Sequence, residues 1–249
     1  MSSLNVYIVA LYILAFILGA SMGSFLLVIV RRGLKGESWV KGRSVCESCG
    51  KELEWWELIP TISYLVLRGK CSKCKVKIDE SHFICETYLG LVYMIGAYLM
   101  IAESLTVSNL IMFLLIHTIL WITAISDWID QAIKVLPVYV LSAVAAISTL
   151  NIYFILTILA LILMSEFLIT DNMRWLGAGD IDILIAIYAI TQSTLITFEA
   201  LVNASIFGII LYSIDLLKKE KQSAIPFVPL LYFGYIFASL GIGLLQWRL

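Results

Sequence analysis

Long apolar runs recur eight times along this chain, at 6–30, 83–102, 108–126, 135–150, 152–170, 181–197, 199–216 and 226–247. A helix needs about 20 apolar residues to cross a bilayer's hydrocarbon core, where only helices and closed barrels satisfy every backbone hydrogen bond. Of the 249 residues 61% are hydrophobic and 14% charged, with a mean hydropathy of +0.97. That leaves far too little polar surface to cover a water-soluble core. The sequence therefore predicts an all-α polytopic membrane protein of about eight transmembrane helices, with the lipid bilayer as its first partner. The net charge of −1 gives no footprint for nucleic acid. The first run lacks a basic leader and is long enough to span, so it reads as a retained helix rather than a cleaved signal peptide.

Charge orients the array. Lys and Arg gather in loops on the cytoplasmic side of membrane proteins. If the polar stretch 31–82 is cytoplasmic, the connections near 127–137, 171–180 and 215–224 share its side. Sixteen of the seventeen basic residues then fall there, and Arg248 alone falls opposite. Both termini are accordingly expected outside. The chain divides into a first helix (1–30), a cytoplasmic loop domain (31–82) and a seven-helix core (83–249), with the oligomeric state left open.

Within the polar stretch, Cys46-Glu-Ser-Cys49 and Cys71-Ser-Lys-Cys74 flank the segment 50–70. Two CxxC knuckles can give four thiolates to one tetrahedral zinc. A reducing cytoplasm argues against disulfides, and the plainer alternative is two unrelated thiol pairs. A four-thiolate site is closed, so the expected role of Zn2+ is to staple a loop too small to build its own core. Cys85, at the start of a span, reads as a small buried apolar residue.

Acids collect at one end of the helices: Asp127 and Asp130 end the third run, Asp180 and Asp182 open the sixth, and Asp215 ends the seventh. Glu86 lies just inside the second run and Glu166 about one turn inside the fifth. Helix ends near water tolerate acids at little cost, and Asp180 also suits a helix N-terminus. Two of them have a context that suggests more. Asp180 follows Gly177-Ala178-Gly179, where missing β-carbons permit close approach, and Asp130 stands shortly before Pro137. Two carboxylates from separate helices, brought together, can share a proton, one activating water while the other donates to a scissile carbonyl. Asp127 shares a helix face with Asp130 and reads as a helix-end residue.

These residues resemble the type IV prepilin peptidases, the bacterial GxGD-type aspartic peptidases. Gly23-Ser24-Phe25-Leu26 through Arg31 resembles the family's first-helix signature. Cys46 to Cys74, with Ile59-Pro60, Ser63-Tyr64 and Leu67-Arg68-Gly69-Lys70-Cys71, resembles its zinc loop. Glu86 matches a glutamate after that loop. Asp130 with Leu136-Pro137 resembles the first catalytic aspartate motif, and Gly177-Ala178-Gly179-Asp180 the second. Pro226-Phe227-Val228-Pro229 resembles the proline pair opening the last helix. The resemblance implies catalysis by Asp130 and Asp180, supported by Gly177, Gly179, Glu86 and Pro137. It implies prepilin or pseudopilin substrates with a short basic leader, cut at the cytoplasmic face of the inner membrane. By resemblance alone it also implies methylation of the new N-terminus with S-adenosylmethionine. Glu47, Glu52, Glu54 and Glu57 are candidates to attract the leader, or else a solvated face.

Three positions depart from the pattern: Leu27 replaces the usual Asn, Val138 the usual Asp or Asn, and Asp182 a Lys. Two residues along a helix turn about 200°, so Asp182 is expected to point away from Asp180. The competing readings are a non-catalytic membrane scaffold or assembly factor that keeps the zinc loop, and a transporter using membrane acids as a proton relay.

Overall fold

A computed structural model of the chain describes residues 3–38, 42–102, 104–130, 135–168, 177–218 and 225–246. Eight helices answer the eight apolar runs one for one: α1 (Ser3–Leu34), α3 (Glu80–Ile101), α4 (Val107–Asp130), α5 (Val135–Ser148), α6 (Ile152–Leu168), α7 (Ala178–Thr191), α8 (Thr194–Lys218) and α9 (Phe227–Gln246). A short α2 (Ile62–Val66) and a 3-10 turn (Trp55–Leu58) lie in the polar stretch. Among the described residues the only extended pairing is two isolated bridges, Val45 with Glu52 and Lys70 with Lys77. By length and composition α1, α3, α4 and α8 can each cross a membrane, and shorter apolar helices run Leu136–Ser148, Ile152–Ser165 and Phe227–Leu240.

The chain forms two compact units, Met1–Thr118 and Ile119–Leu249. The first is organised by α1 lying along α3. Gly19 and Gly23, on one face of α1, meet the α3 backbone: a β-carbon on Gly23 would lie 2.5 Å from the Cys85 carbonyl oxygen, and one on Gly19 would strike that of Leu89. Small residues at this spacing let membrane helices approach backbone to backbone, where tight packing replaces the missing hydrophobic drive. Cys85 is buried in this seam, as expected of it. Leu27, the first departure, is also fully buried. The opposite face of α1 shows Val6, Tyr7, Ile13, Leu14 and Ile17 outward, as a lipid-facing surface does.

In the second unit α7 packs against α5, α6, α8 and α9. Its Ile183, Ala186, Ile187 and Ala189 are fully buried, as befits a helix apolar on every side. The helix is shorter than the 181–197 run suggests. Gln192 takes a left-handed φ of 52°, its N–H closing onto Tyr188 O at 2.8 Å, and this ends α7. Ser193 then starts α8 by accepting the Ile196 N–H at 3.3 Å, the role short hydroxyl side chains play at helix N-termini.

Candidate metal centre and acid cluster

The two cysteine knuckles are built alike. Cys46 N–H donates to Lys51 O and Gly50 N–H to Cys46 O, at 2.8 and 2.9 Å; Cys71 N–H donates to Val76 O and Lys75 N–H to Cys71 O, at 2.9 and 3.1 Å. The residue after each second cysteine is left-handed: Gly50 at φ 66° and Lys75 at φ 62°. This geometry turns both cysteines of a pair toward one point. All four sulfurs lie within 4.8 Å of one another, and the Cys46 and Cys74 sulfurs are 3.8 Å apart. A tetrahedron with metal–sulfur bonds of about 2.3 Å has edges of about 3.8 Å. Cys46, Cys49, Cys71 and Cys74 can therefore hold a metal ion, and the donor set fits zinc. Backbone N–H groups of Cys74 and Lys73 hold the Cys71 thiol at about 6. Against the lowering pull of the Lys51 N–H, burial and the three neighbouring sulfurs push Cys49 up to about 11. Crowded thiols ionise together only when a cation offsets their repulsion.

Lys51 ties the knuckles together. Its ammonium donates to both Glu57 oxygens at 2.8 and 3.0 Å and to Ser72 Oγ, in the other knuckle, at 2.7 Å. Burial alone would raise the Glu57 carboxyl; Lys51, Ser72 and the Glu54 N–H overcome this and hold it at about 2. Glu57 is therefore a structural anion, turned inward. Of the other acids considered for a basic leader, Glu47 lies 3.7 Å from Arg31 and 3.5 Å from Lys35, and Glu52 pairs with Arg43 at 3.0 Å. At the base of the loop, Arg31 donates to Asp79 at 2.5 Å and to Ser81 Oγ at 2.7 Å. Asp79 itself caps α3 through the Ser81 N–H at 2.8 Å.

Glu86 joins three of the sequence motifs. Buried in the second turn of α3, it accepts the Thr61 N–H at 2.6 Å and bonds the Ser24 side chain. Thr61 sits at φ 64°, a strained conformation for a β-branched residue.

In the second unit, Asp180 lies in the first turn of α7, where its Oδ2 accepts the Gly177 N–H at 3.0 Å. Gly177 is the N-cap residue, and Gly179 is the second residue of the helix. Asp182 behaves as its place two positions further round the helix requires. It is buried among α5, α6 and α7, accepting hydrogen bonds from Tyr139 and Ser165 hydroxyls, each at 3.1 Å. Val138, the other departure in this unit, is fully buried one residue before Tyr139. The Asp130 side chain lies outside the described residues, as do those of Glu166 and Asp215, although Asp130 itself ends α4. Pro137 stands in the first turn of α5, half-buried.

Among the described residues, the acid whose charge acts on Asp180 is Asp127. Asp127 is buried, and its Oδ2 accepts the Val228 N–H at 3.1 Å. It thus caps the first turn of α9, where Pro229 has no N–H to offer and a carboxylate meets the positive end of the helix dipole. Read from the sequence, Asp127 is a helix-end residue on the same face as Asp130, with a role left open. The available signal is its position one turn before Asp130.

An α-helical membrane protein with a four-cysteine metal site in a loop between two spans is the class these features define. Residues 17–100 match the family model for the bacterial peptidase A24 N-terminal domain. The chain is 40% identical over 93 residues to a prepilin leader peptidase/N-methyltransferase of Myxococcus xanthus, covering 37% of this chain and 28% of that protein. It is 34% identical over 85 residues to the one of Vibrio cholerae (32% and 34% covered), and 32% identical over 129 residues to the one of Pseudomonas aeruginosa (38% and 44% covered). The matched stretch thus spans less than half the length of these relatives. No solved structure matches the chain. Over the first-helix signature, the cysteine loop and Glu86, the resemblance to type IV prepilin peptidases is borne out by these matches. The family-model match takes in the cysteine site and Glu86; Asp130 and Asp180 lie beyond it.

Proposed function

We propose that this protein cleaves the short leader of type IV prepilins or pseudopilins at the cytoplasmic face of the membrane, using Asp130 and Asp180. The observation that carries the reading is the match of residues 17–100 to the peptidase A24 N-terminal domain, with four sulfurs at zinc-binding separation inside it. The aspartate motifs follow in the order the family would require, and the distribution of Lys and Arg supports the cytoplasmic assignment. In this mechanism the two carboxylates hold one proton between them. The ionised one takes a proton from water as it attacks the scissile carbonyl, while the other donates to the carbonyl oxygen. Bound through Cys46, Cys49, Cys71 and Cys74, zinc supplies structure to the loop and no chemistry to the cleavage. N-methylation of the product belongs to the proposal through the names of the relatives.

The test is leader cleavage of a prepilin by the full chain in lipid, comparing wild type with Asp130→Asn and Asp180→Asn, each checked for retained zinc. Cleavage by wild type and its loss in both metal-loaded variants supports the dyad. Undiminished cleavage by either variant removes that residue from it. The second reading, a non-catalytic scaffold, draws on Asp182 standing buried where the family has a lysine. It gains if wild type cuts none of several prepilins while Cys71→Ser still abolishes assembly.

A further inference from the structure

The loop carries an apolar surface that neither the metal site nor the cleavage chemistry uses. Between residues 55 and 66, Trp55, Leu58, Ile62, Leu65 and Val66 expose 76, 49, 56, 60 and 67% of their surface. Trp55 and Leu58 lie in the 3-10 turn, and Ile62, Leu65 and Val66, at spacings of three and four residues, lie along one side of α2. Five large apolar side chains in so short a stretch form a patch of the kind soluble surfaces avoid unless something covers it.

Its position in the first unit identifies the cover. The inner side of the segment rests on α3: Thr61 N–H bonds Glu86, and the Tyr64 ring stacks on Phe83 with centroids 5.0 Å apart. Phe83 and Glu86 lie about 5 and 9 Å along α3 from Glu80, at 1.5 Å per residue. The apolar span of α3 is 22 residues, Glu80–Ile101, or about 33 Å against a hydrocarbon core of about 30 Å. The span has almost no slack, so a segment fixed at Phe83 and Glu86 lies at the depth of the headgroup–acyl boundary. Amphipathic helices that lie on membranes settle about 5–10 Å into that boundary. The chain leaving the patch is basic and exposed at Arg68, Lys70, Lys73 and Lys75; the chain entering it carries Glu52 and Glu54. Trp55 at one end matches the residue type that anchors proteins at the interface.

We propose that residues 55–66 lie in the membrane interface, apolar side down, with the basic stretch 68–75 on anionic headgroups, so that the metal-binding loop rests on the bilayer. The inference is independent of the cleavage reading and rests on the membrane placement of α1 and α3.

The test uses the full chain in vesicles of phosphatidylcholine and phosphatidylglycerol. The fluorescence of wild type minus that of Trp55→Phe, a variant checked for zinc retention, isolates Trp55. Blue-shifted emission, quenched more by lipids brominated near the headgroup end of the chain than near the methyl end, is expected. Emission at the wavelength of water-exposed indole, unquenched by either lipid, overturns the proposal. A photo-crosslinking residue at Leu65 gives the second readout. A lipid adduct is expected, whereas an adduct to a second copy of the chain, to an added prepilin, or to nothing at all counts against the membrane as occupant.

Discussion

Glu57 in the first unit and Asp127 in the second are about equally hidden, at 7 and 6% exposure, yet they keep different company. Glu57 has a lysine ammonium on both oxygens, a serine hydroxyl behind it and a backbone N–H. Asp127 takes a backbone N–H, and Asp182, as buried, takes two hydroxyls. A carboxylate locked to a cation cannot gain a proton without stranding that cation, so its use is structural. A carboxyl group held by neutral donors is free of that constraint, which is what proton-transfer chemistry needs. Glu57 thus serves to hold the loop, whereas Asp127, like Glu86 in the first unit, is held by neutral groups among the described residues.

This contrast can be pressed experimentally at four points. The largest effect is expected from Cys71→Ser: complete loss of bound zinc by metal analysis, and proteolytic nicking of the loop between residues 31 and 82. Helix content by circular dichroism should stay near that of wild type, because the apolar helices pack without the metal. Collapse of the helices as well would show that the two units depend on one metal. Next comes Asp127→Asn. Cleavage should fall by about tenfold and its pH profile shift, short of the roughly 10²–10⁴-fold expected for losing a direct acid or base. Loss as complete as in Asp180→Asn would promote Asp127 into the dyad.

A smaller effect, and one with a definite sign, concerns Glu57. Its carboxyl is held at about 2 in the folded loop against an ordinary value of 4.5. A depressed value stabilises the folded form above the ordinary value, and that contribution is lost as pH falls toward about 2. Protease resistance of the loop, followed from neutral to acid pH, should decline across this window in wild type. Glu57→Gln should be weaker at neutral pH and flatter across the same window, apart from the acid release of metal common to both. Smallest of all, Lys75→Gly should raise loop stability by about 1 kcal/mol, because Lys75 holds a left-handed conformation that Gly50 adopts freely in the matching knuckle. A fall in thermal stability on that change would mean that the Lys75 side chain contributes more than its backbone costs.

Much of this arrangement is legible from residue order. Eight apolar runs foretell eight helices because lipid leaves the backbone no alternative, and the CxxC spacing foretells the four-sulfur cluster because each pair is local. The helical rotation between Asp180 and Asp182 correctly separates their partners. What escapes is decided over long distances. Asp127 finds Val228 across 101 residues of chain, and nothing near Asp127 announces it. Glu47 and Glu57 look alike in the sequence, but Glu57 goes inward because Lys51 and Ser72 converge there. The 3-10 turn and α2 are too short for a periodic signal and are broken apart by Pro60 and the strained Thr61. The early end of α7 turns on Gln192 adopting a conformation that its side chain does not dictate.

The clamp at the base of the loop has a consequence for how such proteins can change. Arg31 and Asp79, 48 positions apart, meet within one hydrogen bond where α1 ends and α3 begins. The stretch between them is then a cassette with both ends fastened at one point. The entropy of closing such a stretch grows only with the logarithm of its length, about 0.6 kcal/mol for each doubling. A longer, shorter or foreign insert could occupy the same slot while Gly19 and Gly23 keep the two membrane helices in register.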